Sequence, residues 1–307
     1  VAIISAIAGL GFWSLVLGRV ISSVVVAVSF FIIRPWRARL VWDNKIFSSM
    51  FGYVKTMYLF LFLSIFTTQI DRLVVSKILG IAFAGYYSMA YNFGSWALNN
   101  ILAIADRVAF PLYSELKDDM DSLRAVYSKF FKYILFVSIP ILTGFILFTE
   151  DFVHIFLGVK WSAIVIPIKI LSFAGFFGLI GNISNGLLKA ISRLDIDVKR
   201  NLTLSITLLV TLIPLTRFYG MVGSCVAVLI SFALTQPIYF KYAIETIKME
   251  KRKMLSCFLT ILGIDIIGIA FYILCGRLFV NNIEWVFVRF SLSVLSYISA
   301  YSLAAFL

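Results

Sequence analysis

Apolar residues arrive along this chain in runs of about twenty, separated by short polar connectors. A helix that crosses the hydrocarbon core of a bilayer needs about 20 such residues. On that measure the pattern predicts one partial and nine complete spans. Residues 1–10 read as the end of a helix. The complete spans run roughly over 13–33, 47–78, 85–111, 126–149, 163–188, 202–216, 222–244, 255–275 and 285–307. The connectors leave no room for a soluble domain, so the fold class expected is an all-α polytopic membrane protein.

Composition agrees with that reading. Of 307 residues 62% are hydrophobic, 14% are charged and 30 are phenylalanine, far from the balance of a water-soluble domain. The chain begins at Val1 and ends at Leu307, each inside an apolar run, which suggests a segment cut at both ends. Cys225, Cys257 and Cys275 lie in or at the end of apolar helices and read as packing residues, not as a disulfide or metal set.

A net charge of +12 raises the question of nucleic acid, but its distribution points elsewhere. Basic residues crowd alternate connectors. One set holds Arg34, Arg37, Arg39 and Lys45, then Lys117, Arg124, Lys129 and Lys132, then Lys189, Arg193, Lys199 and Arg200, and finally Lys241, Lys248, Lys251, Arg252 and Lys253. The opposite set holds Lys160, Arg217 and Arg277. Positive residues stay on the cytoplasmic side, so connectors 34–45, 112–132, 189–200 and 241–253 are expected in the cytoplasm of a multi-pass inner-membrane protein. No nucleic-acid partner is expected.

Two further patterns stand out. Asp118, Asp119 and Asp121 precede Leu123, Val126, Tyr127, Phe130 and Phe131 at helical spacing, as for a helix start with acidic residues at its positive end. An interfacial helix running directly into the next span is expected there. Gly11-Phe-Trp-Ser14 and Gly220-Met-Val-Gly223 each open a span rich in small and β-branched residues, six spans apart. A six-helix period is what two related transporter lobes would produce.

The remaining basic residues are Arg19, Lys55, Arg72, Lys77, Arg107, Lys169 and Arg289, and they fall in or near spans together with Asp71, Asp106 and Asp265. Charges at mid-bilayer are costly and tend to face a hydrated cavity or one another. Some have simpler readings. Arg19, Lys55, Lys77 and Lys169 lie near span ends, where long side chains snorkel. Arg107 can serve as one more positive-inside residue, and the two Asp-Arg pairs can bind neighbouring helices. Cations exceed carboxylates among these residues, so a hydrated cavity would be net positive and would suit phosphate or diphosphate. The candidate substrate contacts are Arg72, Arg107, Lys55, Arg19, Lys169 and Arg289. Asp71, Asp106 and Asp265 are the candidates for a structural or coupling role.

Pro140, Pro167, Pro214 and Pro237 fall within predicted spans and would free backbone carbonyls, as helices that rock between two states require. His154 is the single histidine, and neither a metal set nor a nucleophile–base set is present in the pattern. No enzyme activity, metal or cofactor is expected.

The run Gln69-Ile-Asp71-Arg72-Leu-Val-Val-Ser-Lys77-Ile-Leu-Gly80, followed by Gly85-Tyr86-Tyr87-Ser-Met-Ala90-Tyr91, resembles the central signature of Wzx-type polysaccharide flippases and exporters. These are members of the multidrug/oligosaccharidyl-lipid/polysaccharide exporter superfamily. The resemblance continues through Phe110-Pro111, through Pro140 and Gly144, and through Gly158-Val-Lys160-Trp161. It implies a two-lobed helical bundle transporter. Residues 1–33 would be the last helices of the N-terminal lobe, 34–46 a cytoplasmic linker, 47–246 a six-helix C-terminal lobe and 255–307 two additional helices. The implied activity is translocation of undecaprenyl-diphosphate-linked oligosaccharides, precursors of O-antigen, capsule or exopolysaccharide, by alternating access. The implied partners are the lipid-linked anionic oligosaccharide, membrane lipids, a polysaccharide polymerase and glycosyltransferases. An ion-coupled multidrug exporter of the same fold is the alternative, although carboxylates are few. A membrane-embedded polymerase or ligase would need a larger outer loop than any here.

Overall fold

The computed structural model describes residues 2–7, 9, 11–33, 43–275 and 286–306, and these are helical almost throughout, with no strand among them. Arg34, Arg37, Arg39 and Arg277, and most of the 34–46 linker, lie outside the described residues. Contacts divide the chain into two units, Val1–Lys55 and Thr56–Leu307.

The first unit holds α1 (Ala2–Ile7), α2 (Trp13–Ile33) and the opening turns of α3 (Asn44–Leu79). In the first turn of α2 the Ser14 hydroxyl donates to the Gly11 carbonyl at 2.7 Å. Apolar side chains cover α2 on all sides and stay exposed, as with Val24 and Phe30. A helix that is hydrophobic all round belongs in lipid or in the core of a larger assembly.

The second unit continues α3 and adds α4 (Ile81–Glu115), α5 (Met120–Phe152), α6 (Val165–Ala190), α7 (Leu194–Thr246), α8 (Lys251–Cys275) and α9 (Val286–Phe306). A π-type turn at Val153–Leu157 and a 3-10 turn at Val159–Ile164 link α5 to α6. The α3–α4 turn is a single residue, Gly80, with φ 93°. Within α7 the helix folds back at Gly220, where φ is 60° and ψ −141°, a combination open essentially to glycine alone. Residues 194–219 and 221–246 are therefore two antiparallel arms. Thr216 meets Ser224 across the bend at 2.9 Å, and Asp197 meets Tyr239 far from it.

Counting the two arms of α7 separately, α2–α9 make nine rods among the described residues, in the places where the apolar pattern predicted spans. Six of the described helices are long and apolar enough to cross a membrane. Helix α4 is not among them, because Asn92, Asn99, Asn100, Asp106 and Arg107 interrupt it.

Helix α6 is the centre of the unit, packed against α4, α5 and α7. Small residues let its neighbours come close. A Cβ at Gly94 of α4 would lie 2.8 Å from Leu171 Cβ, and one at Gly181 would meet Gln236 of α7. One apolar cluster, around Leu123, Tyr127, Phe131, Leu187 and Ile247, lies toward the basic end. A second, around Val75, Tyr87, Ile164, Ile168 and Cys225, lies toward the other end. The basic connectors converge: Arg124 Nε of α5 donates to the Ile247 carbonyl at 2.6 Å, which brings 112–132 and 241–253 to the same end.

The start of α5 follows its sequence. Asp119 caps it, accepting from the backbone N–H groups of Asp121 and Ser122 at 3.1 and 3.2 Å. The helix then runs without a break into the span, and its stripe of Leu123, Tyr127 and Phe131 is buried in the bundle core. Prolines divide by position. Pro111, Pro140, Pro214 and Pro237 are inside helices. Pro167 is in the first turn of α6, where its missing N–H would have had no helical partner. At Pro140 the carbonyl of Phe136 loses its usual donor, and the Tyr301 hydroxyl of α9 donates to it at 2.8 Å.

Asp265 fastens α8 to α5 and α9. Only 2% of it is exposed. Thr143 Oγ1 donates to Oδ2 at 2.7 Å, and the Tyr297 hydroxyl donates to Oδ1 at 2.6 Å. At the far end Arg289 of α9 pairs with Asp151 of α5 at 3.2 Å.

Two measurements check this account. Asp265→Ala strips two buried hydroxyls of their acceptor and is expected to cost about 2 kcal/mol or more, read as a lower thermal midpoint of the purified protein, with Asp265→Asn losing less. Asp119→Ala is expected to speed amide exchange at Asp121 and Ser122. The hydrogen bonds from Ser122 hold the Asp119 carboxyl below its ordinary range, so the cap is complete above that range and is lost as pH falls through the lowered value. In the wild type the protection of these amides, taken relative to the intrinsic exchange rate at each pH, should fall only as pH drops through the lowered value.

Candidate functional site

The Gly80 turn lays the last turns of α3 against the first turns of α4, and the quoted signature residues meet there. Asp71 is 3% exposed. Its Oδ2 accepts from the Tyr87 hydroxyl at 2.7 Å and its Oδ1 from the backbone N–H of Arg72 at 2.7 Å. Its carboxylate is thus occupied by neutral donors, and the adjacent guanidinium goes elsewhere. Adjacent helix positions point about 100° apart, so the two side chains diverge.

Arg72 reaches Gln69 Oε1 at 3.4 Å and Asn92 Oδ1 at 3.3 Å. Its guanidinium carbon lies 5.5 Å from the centre of the Tyr91 ring, within range of a cation–π attraction. Its Nε is buried with no acceptor. Neutral oxygens and an aromatic face orient the cation without cancelling it. Along α3 it lies about 12 Å below the Gly80 turn, well inside the span. The arrangement can hold an anion by charge-assisted hydrogen bonds.

The other sequence candidates scatter. Arg19 is exposed on α2 and Lys55 is exposed on α3, both in the first unit. Lys169 is half-buried near the outer end of α6, with no ion pair among the described residues. Arg107 is exposed two turns from the basic end of α4. Asp106, half-buried, packs on α6, with Oδ1 3.1 Å from where a Cβ on Gly186 would stand. Asp265 and Arg289 belong to the α5–α8–α9 contact. Within the second unit, Asp71 and Arg72 are the candidates that the α3–α4 turn sets against signature residues of α4, each with its own partners.

A second polar cluster was not singled out from the sequence. Asp197, fully buried in the first arm of α7, accepts from the Tyr239 hydroxyl of the second arm. With its amide turned to satisfy both partners, Asn185 of α6 donates to the two carboxylate oxygens at 3.2 and 3.1 Å. Arg200 lies over the Tyr239 ring, 4.9 Å from its centre. Asp197, Arg200 and Asn201 recur at i, i+3 and i+4 on one helix face. That spacing was the available signal, masked because Arg200 counted among connector charges. Among the described residues no group of three or more metal-ligating side chains comes together.

Comparison with known proteins fits this geometry to a family. A family model described as "Polysaccharide biosynthesis protein" matches residues 1–166, more than half of the chain and the whole of the Asp71–Arg72 site. The chain belongs to the polysaccharide biosynthesis protein family. The lipopolysaccharide biosynthesis protein WzxC of Escherichia coli (strain K12) is 30% identical over 171 residues, 56% of this chain and 34% of that protein. The teichuronic acid biosynthesis protein TuaB of Bacillus subtilis (strain 168) is 24% identical over 163 residues, 53% of this chain and 34% of its own length. The chain thus spans about a third of these relatives. Among solved structures, the inward closed conformation of the lipid II flippase MurJ superposes with a TM-score of 0.75 at 19% identity, over 96% of this chain and 61% of that one. The fold is shared, and the multi-pass helical membrane architecture read from the sequence stands.

In this polysaccharide biosynthesis family member, Tyr87 neutralises the cost of burying Asp71. Tyr87→Phe would leave a buried carboxylate short of a donor, at about 1–3 kcal/mol. The thermal midpoint of the purified protein is expected to fall clearly for Tyr87→Phe and hardly at all for Tyr58→Phe, whose side chain is exposed. Equal midpoints would mean that the Tyr87 hydroxyl contributes nothing.

Proposed function

We propose that the protein moves lipid-linked oligosaccharide units, carried on undecaprenyl diphosphate, across the cytoplasmic membrane by alternating access and without covalent chemistry. The family description and the relatives named for lipopolysaccharide and teichuronic acid synthesis support a role in surface polysaccharide assembly. The fold shared with a lipid II flippase supports translocation. On this reading residues 47–246 act as one lobe, 255–307 as two additional helices, and the basic connectors face the cytoplasm. A polysaccharide polymerase and glycosyltransferases would be its functional partners.

The observation that carries the reading is Arg72. It is a half-buried cation within the span whose adjacent carboxylate is already committed to Tyr87. It therefore keeps a full positive charge for a mobile anion, and a diphosphate presents oxygens that match a guanidinium. Exposed Arg107 at the basic end and half-buried Lys169 near the other end would extend the positive lining within the second unit. Interior prolines at 111, 140, 214 and 237 supply the bends for rocking motions.

The test is complementation of a strain lacking its own flippase, at matched membrane expression. Arg72→Ala is expected to lower surface polysaccharide roughly tenfold or more, the worth of one charge-assisted hydrogen bond, with Arg72→Lys intermediate. Wild-type rescue with undiminished Arg72→Ala activity would overturn the role assigned to this residue. Failure of the wild type on every glycan tried would overturn the substrate class.

A further inference from the structure

Between the two arms of α7, at the basic end of the bundle, is a cavity of about 350 Å³. Lys199, Arg200 and Thr203 line it from the first arm, and Ile238, Tyr239 and Tyr242 from the second. We infer that this cavity is a binding site for the phosphodiester headgroup of an anionic glycerophospholipid from the cytoplasmic leaflet.

The charges around the cavity decide the class of ligand. Arg193 pairs with Asp195 at 3.0 Å, and Lys251 with Glu245 at 2.6 Å. Arg200 stands beside buried Asp197 over the Tyr239 ring, with its Nε buried and without an acceptor. Lys199 is left as an exposed cation with no ion pair among the described residues. Three cations, Arg193, Lys199 and Arg200, line the cavity against two carboxylates, Asp195 and Glu245, so its floor is net positive and suits an anionic headgroup. Arg200 and Lys199 supply the charge-assisted donors that such a group needs.

The walls decide the source. Above the cavity, Ile206 and Val210 continue the face of Thr203 up the first arm, and Leu234 continues the face of Ile238 and Tyr242 up the second. All are at least half exposed: Ile206 60%, Val210 68%, Leu234 55%, Ile238 53% and Tyr242 53%. Two apolar stripes thus rise from a cationic floor, the shape of acyl chains below which a headgroup is held. A soluble phosphate ester would use the floor and leave the stripes bare. Basic pockets between membrane helices on the cytoplasmic side recognise anionic headgroups in this way. The inference stands on the α7 hairpin and does not require the flippase reading.

Native mass spectrometry of the full chain in detergent tests it, with phosphatidylglycerol, phosphatidylcholine and sn-glycerol-3-phosphate as probes. Wild type is expected to retain phosphatidylglycerol in preference to the other two. Lys199→Gln should weaken that retention about fivefold, the effect of one basic residue near an anionic headgroup, and Lys199→Glu further, while Lys253→Gln leaves it unchanged. Lys199 is exposed, so neither variant disturbs the fold, and Asp197 keeps its Arg200 neighbour. Equal retention of phosphatidylglycerol and phosphatidylcholine, or no change in Lys199→Glu, overturns the inference. Retention of sn-glycerol-3-phosphate at the same strength overturns the lipid assignment.

Discussion

Carboxylates inside a membrane protein must be met by donors, because neither lipid nor apolar side chains can replace the water they leave behind. In this chain the donor is repeatedly a tyrosine hydroxyl from another helical rod. Tyr87 of α4 meets Asp71 of α3, Tyr239 meets Asp197 across the two arms of α7, and Tyr297 of α9 meets Asp265 of α8. Each bond joins two rods, and each tyrosine also buries its ring in the packing between them. Three hydroxyl–carboxylate contacts therefore do the work that paired charges would do in a soluble interface. They tie the α3–α4 turn, the α7 hairpin and the α8–α9 pair in place.

Using neutral donors has an electrostatic consequence. A carboxylate satisfied by a hydroxyl does not need an arginine, so the cations near these sites are not held in ion pairs. Arg72 rests on Gln69, Asn92 and the Tyr91 ring, and Arg200 on the Tyr239 ring. Aromatic faces and amide oxygens orient a guanidinium while leaving its charge available. The ion pairs of the described residues are at the basic connectors, two of them at the rim of the Arg200 cavity, and at the α5–α9 end.

Much of this was legible in the residues. Periodic apolar runs located the rods because a bilayer imposes one length on every crossing. Asp119, with Asp118 and Asp121, marked the start of α5 because its side chain can answer orphan N–H groups, whereas Gly80 and Gly220 were read only as parts of motifs and proved to be the tight turns. The signature from Gln69 to Tyr91 also proved spatially coherent, since a one-residue turn brings its two halves together. What the residues did not reveal was pairing. Asp71 and Arg72 are neighbours in sequence but reach different partners. Arg289 was grouped with the in-span cations and meets Asp151, 138 positions away. Asp197 and Arg200 lay hidden at the edge of a basic connector.

The sequence by itself determined membrane residence, the places of the rods, the alternation of basic connectors and the family, because these depend on local hydropathy and short-range motifs. Only the tertiary structure decided which charges are answered and which are left free. That outcome depends on the rotation of each helix about its axis and on which neighbour stands opposite, and small residues such as Gly94 and Gly181 set both by how closely the helices approach.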